Sequence, residues 1–290
     1  MNTLGLYLTS VLIWGSTWWV ITFQFGAVPP AVSVAYRFAL ASLILFGWCR
    51  VRRLRLGFSV PDHLWMALQG VLLFGTNYVC VYLAEVEIAS ALVAVAFSLV
   101  VFLNIAGARI FFGTPFKRAT LLGAVLGMSG VVLVFLPELE QGAGKGNSTL
   151  GLAYALVGAL SASLGNLVAS RNHRRGFPVV QMNTFGMLYG ALFVALYAVL
   201  ARQPFRFDWS ARYLVSLTYL AVLGSIVAFG AFLTLLGRIG ADRAGYVTVA
   251  IPVVALLLSA LFEGLQWNGL LVLGFLLCLA GNISVLRSKG

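Results

Sequence analysis

The sequence predicts an all-α integral membrane protein: ten transmembrane helices arranged as two inverted five-helix repeats around a central cavity. Three observations carry that prediction. Hydrophobic residues make up 61% of the 290 and charged residues only 9%, with a mean hydropathy of +0.99. The apolar residues are grouped in successive runs, each near the ~20 residues needed to cross the hydrocarbon core. Landmarks in the first half recur in the second at a nearly constant offset.

Composition excludes the soluble classes first. A soluble domain carries roughly 25% charged residues, so most of this chain must face lipid or other helices. The formal net charge of +11 does not point to nucleic acid, because the basic residues lie between apolar runs rather than on one soluble face. Cys49, Cys80 and Cys278 fall in or beside apolar runs without metal-type spacing and read as small packing residues. Met1 to Leu8 contains no Lys or Arg and is followed by tryptophans without a clear cleavage site, so it reads as a retained first span.

The apolar segments fall near 3–23, 31–49, 64–84, 88–111, 119–136, 149–170, 179–200, 212–235, 241–262 and 267–286. Pro29, Pro30, Pro61, Pro115, Pro137, Pro178 and Pro204 mark edges between them, and Pro252 alone lies inside a run. Backbone polar groups find no water in lipid, so these spans are expected as helices. With the N-terminus inside, the cytoplasmic loops collect Arg50, Arg52, Arg53, Arg55, Lys117, Arg118, Arg171, Arg174, Arg175, Arg238, Arg243, Arg287 and Lys289, with Arg109 at the end of its span. The outer loops collect only Lys145, Arg202, Arg206 and Arg212. The positive-inside rule therefore places both termini in the cytoplasm, as an even number of spans requires.

Gly123 and Gly274 are 151 residues apart, as are Gly130 and Gly281, and Ile110-Phe111-Phe112-Gly113 parallels Leu261-Phe262-Glu263-Gly264 at the same offset. Gly75 pairs with Gly224 at 149 and Pro30 with Pro178 at 148. Two units follow, 1–147 and 148–290. Each has an odd number of spans, so the second enters the membrane upside down, as in many secondary transporters with a solute site near the midplane.

The run Trp14-Gly15-Ser16-Thr17-Trp18, then Pro29-Pro30 leading to Arg37-Phe38-Ala39-Leu40-Ala41, then Phe112-Gly113 and the Leu-Gly-x6-Gly pattern of the fifth span together resemble the EamA-type drug/metabolite transporter superfamily across the whole chain. Within it the chain is most similar to bacterial exporters of aromatic and other amino acids. The resemblance implies a basket, with spans 1–4 and 6–9 around a cavity and spans 5 and 10 outside, in a bacterial inner membrane. The chain departs from the pattern at Val101, which stands where the second repeat has Pro252, and at Thr114 and Leu265, where the family often has an acidic residue.

Polar and aromatic residues inside the spans are the candidate cavity lining. They are Trp14, Thr17 and Trp18 in span 1, Asn77, Tyr78 and Tyr82 in span 3, Phe97, Ser98 and Asn104 in span 4, Asn166 in span 6, Asn183 in span 7, and Tyr246 and Thr248 in span 9. Asn in a lipid-buried helix needs a partner, so interhelical bonding competes with cavity lining for each. Arg37 lies about 10 Å below the outer end of its span at 1.5 Å per residue, and pairing with Glu85 as a structural clamp is expected. Pro252 is expected to kink its helix and act as a hinge. His63 and His173 are expected in cytoplasmic loops.

Gly142-Ala143-Gly144-Lys145-Gly146 lacks the spacing and the Ser/Thr of a phosphate loop, and Gly186-x3-Gly190 and Gly123-x3-Gly127 suit close helix packing. No cofactor is expected. No nucleophile set, metal cluster or paired carboxylates mark an enzyme, and no charge ring or filter marks a channel. The expected partners are the bilayer and a small-molecule solute, an amino acid; the sequence leaves the oligomeric state open and is compatible with a monomer. The acidic residues, Asp62, Glu85, Glu87, Glu138, Glu140, Asp208, Asp242 and Glu263, all fall at or beyond span ends. With Glu85 and Asp242 beside arginines, facilitated diffusion rather than proton coupling is expected. Hydrophobic cations and nucleoside-like metabolites are the alternative solutes.

Overall fold

The computed structural model describes residues 2–113, 118–141, 146–232, 234–235 and 246–287. The described residues form helices without strands. In chain order these are α1 (Thr3–Gln24, its end tightened to a 3-10 turn), α2 (Pro30–Val51), α3 (Val60–Glu87), α4 (Ser90–Phe112), α5 (Arg118–Gln141), α6 (Ser148–Arg174), α7 (Val179–Leu200), α8 (Ala211–Phe232), α9 (Tyr246–Phe262) and α10 (Gly269–Arg287). Among the described residues, α1–α4 and α6–α8 are seven helices long and apolar enough to cross a membrane. The rest supply shorter apolar stretches, Leu121–Pro137, Ala250–Phe262 and Gly269–Ser284.

The helix ends follow local chemistry. Ser59 and Asp62 form a capping box that starts α3 ahead of its apolar run. His63, expected in a loop, therefore sits in the first turn of α3, and His173 lies inside α6, which continues past its apolar run to Arg174. Asn147 caps α6 and Ser210 caps α8 through side-chain oxygens. Pro30 occupies the first turn of α2, where its missing N–H costs nothing. Pro137 does not mark an edge: α5 runs through it to Gln141.

Two helices contain a feature that apolar periodicity does not reveal. In α3 the segment Gly70–Thr76 and in α8 the segment Tyr219–Val227 widen from α to π. They start 149 residues apart, the offset that separates Gly75 from Gly224. An i→i+5 turn shifts carbonyls out of the regular ladder, and such bulges concentrate at functional sites.

The packing is inside-out relative to a soluble protein. Leu4, Leu8 and Leu12 on α1, Leu121, Val125, Met128 and Val132 on α5, and Leu192, Leu196 and Leu200 on α7 are exposed at helical spacing. Ser10, Thr17, Gln24, Ser33, Arg37, Gln69, Asn77 and Glu85 are buried. Lipid accepts the first set, and only partners within the protein can satisfy the second.

The α5 and α10 helices run antiparallel where they meet. In α5 and α10, Gly130 faces the backbone of Gly274, and Gly281 faces that of Gly123. A Cβ on Gly130 would lie 2.5 Å from the Gly274 carbonyl oxygen, and one on Gly281 would lie 2.5 Å from the Gly123 carbonyl oxygen. Between α2 and α7, Ser42 Oγ donates to the Thr184 carbonyl at 2.9 Å. Between α4 and α9, Ser90 at the start of one meets Glu263 just past the end of the other. Side-chain amides tie the first helix of each half to the third helix of the other. Gln24 Nε2 donates to the Tyr213 carbonyl at 3.2 Å, and Asn172 Nδ2 donates to the Trp65 carbonyl at 3.4 Å. Donor and acceptor are each displaced by 148 residues between the two contacts.

Candidate functional site

The α8 bulge gathers a polar and aromatic cluster in the interior. Ser225 Oγ donates to the Leu220 carbonyl at 3.0 Å, five residues back within the π segment. Arg37 Nε of α2 donates to that same Ser225 oxygen at 3.2 Å. The guanidinium is 1% exposed and lies 4.5 Å from the Tyr78 ring centroid and 5.2 Å from that of Phe38. A desolvated cation over an aromatic face gains about 2 kcal/mol, and here the ring and hydroxyl replace part of the lost water.

Trp14 reaches the bulge from α1, where its indole N–H donates to the Gly224 carbonyl at 3.1 Å. Its ring stands edge-on to Phe229 at 5.0 Å and tilted on Phe232 at 5.3 Å. The absence of a side chain at Gly224 makes this approach possible. A Cβ there would lie 2.8 Å from the Thr17 methyl and 3.2 Å from Arg37 Nη2. Ser16 Oγ and the Tyr219 hydroxyl close the group at 2.7 Å.

Of the residues singled out from sequence, Trp14, Thr17, Arg37 and Tyr78 are therefore brought together. Trp18 lies beside them, edge-on to Phe97 at 5.1 Å. Tyr82 is fully buried against Phe25, and its hydroxyl lies within the electrostatic reach of both Arg37 and Glu85. Glu85 is 3% exposed in the last turn of α3. Asn77 bonds within its own helix, Nδ2 donating to the Leu73 carbonyl at 3.0 Å. Ser98 is buried against Cys278 of α10, while Asn104 and Asn166 are half-buried. Pro252 is buried inside α9 and Thr248 is half-buried in its first turn; the Tyr246 side chain lies outside the described residues. Asp242, like Lys145, lies outside them too.

Asn183 belongs to a different place. Gln69 Nε2 donates to its Oδ1 at 3.5 Å, and Asn172 Nδ2 donates to Gln69 Oε1 at 3.1 Å, forming an amide seam where α3 starts, α6 ends and α7 starts. His63 Nδ1 and the Tyr189 hydroxyl meet at 2.8 Å beside it. The basic residues of this face stack on aromatics: Arg171 lies 3.9 Å from the Trp65 ring centroid, Arg174 4.2 Å from that of Phe112 and Arg52 4.8 Å from that of Trp48.

At the opposite face, where α1, α3 and α9 end and α8 begins, a cavity of about 400 Å³ opens. Glu85, Arg212 and Glu263 line it together with Trp19, Thr22, Phe23, Phe25 and Phe262. The sequence reading missed Ser225, Tyr219 and this cavity wall. Gly224, used only as a repeat landmark, was the available signal for the bulge.

The profile of the EamA-like transporter family matches residues 1–136 and again 149–287. The chain belongs to the EamA-like transporter family. Members of this family within the drug/metabolite transporter superfamily are membrane transporters, so this EamA protein moves a small-molecule solute across a bilayer. It is 26% identical over 281 residues to the uncharacterized inner membrane transporter YedA of Escherichia coli strain K12, covering 93% of this chain and 88% of that one. It is 25% identical over 291 residues to the uncharacterized transporter YvbV of Bacillus subtilis strain 168, covering 94% and 90%. The probable amino-acid metabolite efflux pump of Escherichia coli strain K12 is 25% identical over 287 residues, covering 95% and 92%. A solved crystal structure superposes with a TM-score of 0.69 at 20% identity, over 97% of this chain and 94% of the other, and shares the fold.

Proposed function

We propose that this EamA transporter is a secondary carrier that exports amino acids, aromatic ones among them, from the cytoplasm of a bacterium. It works by alternating access between two inverted five-helix repeats, residues 1–147 and 148–290. The single observation that carries the reading is the Arg37–Tyr78–Trp14 cluster at the α8 bulge, which draws α1, α2 and α3 of one half onto α8 of the other. Aromatic faces and a fixed guanidinium at one depth suit a solute with an apolar body and a carboxylate. The relative named as a probable amino-acid metabolite efflux pump supports the solute class. The antiparallel meeting of α5 with α10, and that of the start of α4 with the end of α9, supports the inverted arrangement.

Trp14, Thr17, Trp18, Tyr78 and Phe97 line the solute path in this reading, and Thr248 joins them from α9. Arg37 and Glu85 hold the buried charge balance, and Pro252 lets α9 bend as access switches. Both termini are cytoplasmic, which puts Arg52, Arg171 and Arg174 at the inner surface and the 400 Å³ cavity at the outer one. Flow is down the solute gradient.

Counterflow in proteoliposomes tests the reading. Vesicles preloaded with unlabelled L-phenylalanine should accumulate the labelled amino acid transiently, at equal pH on both sides. Exchange of a cationic dye with no competition from any amino acid would overturn it. Single cysteines at Arg206 and Arg53 test the orientation, with labelling from outside intact cells expected only at Arg206.

A further inference from the structure

The outer cavity has a charge pattern that a mere gap between helix ends would not need. Glu85 and Glu263 face it from the ends of α3 and α9, and Arg212 faces it from the first turn of α8. The lining thus carries two carboxylates and one guanidinium. Glu263 is held in place: its carboxylate accepts from the Ser90 N–H at 3.1 Å and from the Ser90 hydroxyl, so it also caps the start of α4. Arg212 is exposed and stands over the Phe23 ring at 4.7 Å. Trp19 is stacked on Phe262 at 4.4 Å with 21° between planes, and Phe25 completes an aromatic wall.

We infer that this cavity is a second solute site, distinct from the α8 bulge, which binds an α-amino acid zwitterion by both ends. Arg212 takes the carboxylate, Glu85 takes the ammonium group, and the Trp19, Phe23 and Phe25 rings take the side chain. The inference rests on the amino-acid reading above and deepens it. With Glu263 engaged by Ser90, Glu85 and Arg212 are the opposite charges presented to a solute, and a zwitterion matches both where a singly charged solute matches one. A cavity of about 400 Å³ lies within the size range of small-molecule sites, about 300–1,000 Å³. A guanidinium offers a carboxylate two parallel donors, which gives the site a preferred orientation for its ligand.

The purified transporter in lipid nanodiscs, with empty nanodiscs as control, is titrated calorimetrically with L-phenylalanine, phenethylamine and 3-phenylpropionate. L-Phenylalanine should bind at least tenfold more tightly than either singly charged analogue. It should occupy two sites per protein, and Arg212→Gln should reduce this to one, as should Glu85→Gln. Arg212 is exposed, so its substitution leaves the fold intact and decides the matter even if Glu85→Gln does not fold. A single site in the parent protein, or two sites that survive Arg212→Gln, overturns the outer site and leaves amino-acid export standing. Native protein that binds phenethylamine best overturns the amino-acid reading, and the outer site falls with it.

Discussion

The α3 and α8 bulges are the same device in two different settings. Both widen to π geometry at corresponding points of the two halves. Around the α3 bulge, helix backbones approach closely. A Cβ on Gly70 would strike the Gly186 carbonyl oxygen and come within 3.0 Å of the Gly190 amide, and one on Gly165 would lie 2.9 Å from the Leu73 amide. Around the α8 bulge the neighbours are side chains: Trp14, Thr17, Arg37, Tyr219 and Ser225. Glycines facing glycines make a seam that can neither open slightly nor admit a solute. Side chains with rotamers of their own can rearrange. The comparison teaches that one half uses its bulge to fit helices together and the other gathers polar and aromatic side chains at its own.

The largest expected effect separates the two settings directly. Gly70→Ala should cost about 1–3 kcal/mol, the usual range for overpacking a tight interface, and lower the melting temperature of detergent-purified protein. Gly224→Ala meets only a methyl group and a guanidinium tip. It should melt close to the parent yet slow counterflow. Equal melting of the two would break the comparison.

Arg37→Lys comes next. The substitution keeps the charge but loses the planar contact with Tyr78 and the bond from Nε to Ser225. A hydrogen bond to a charged group contributes about 1.5–3 kcal/mol, so exchange of L-phenylalanine should fall by roughly tenfold or more, given about 1.4 kcal/mol per decade. Retained exchange would reduce Arg37 to a packing residue.

Trp14→Phe sharpens the contrast further. It keeps an aromatic ring for Phe229 and removes only the donor to the Gly224 carbonyl, a loss of about 1 kcal/mol. A severalfold drop in the rate, with melting nearly unchanged, is expected. The smallest effect should come from Ser161→Ala in α6, which removes the 2.8 Å bond from Ser161 Oγ to the Leu72 carbonyl in the α3 bulge. The backbone contacts of that seam remain, so both exchange and melting should shift little. A loss as large as that of Trp14→Phe would show that the two bulges work alike.

Much of this protein was legible in the sequence because the bilayer leaves a chain few options. A segment of about 20 apolar residues has to satisfy its backbone internally, so it becomes a helix wherever it falls. The glycines at 123, 130, 274 and 281 read in sequence as landmarks of the repeat, and the structure shows that they also let the α5 and α10 backbones touch. Arg37 announced itself because a cation inside an apolar run requires a partner. Boundaries were less legible: Ser59 starts α3 and Asn147 starts α6 by hydrogen bonding, which hydropathy does not register. The same holds for Pro137, which reads as punctuation yet is accommodated within α5.

The sequence by itself determined the membrane class, the offset between the halves and the short set of polar residues that lipid could not accept. Only the tertiary structure decided which of those residues meet. Asn183 joins Gln69 in a seam, Asn77 turns back on its own helix, and Trp14, Arg37 and Tyr78 converge on α8. The reason is physical: burial in lipid dictates that a polar group must have a partner, and which partner it finds depends on the rotation of one helix against another. That rotation is set at α8 by a π turn, whose one extra residue turns Gly224 and Ser225 toward the first half and leaves no trace in the pattern of apolar residues.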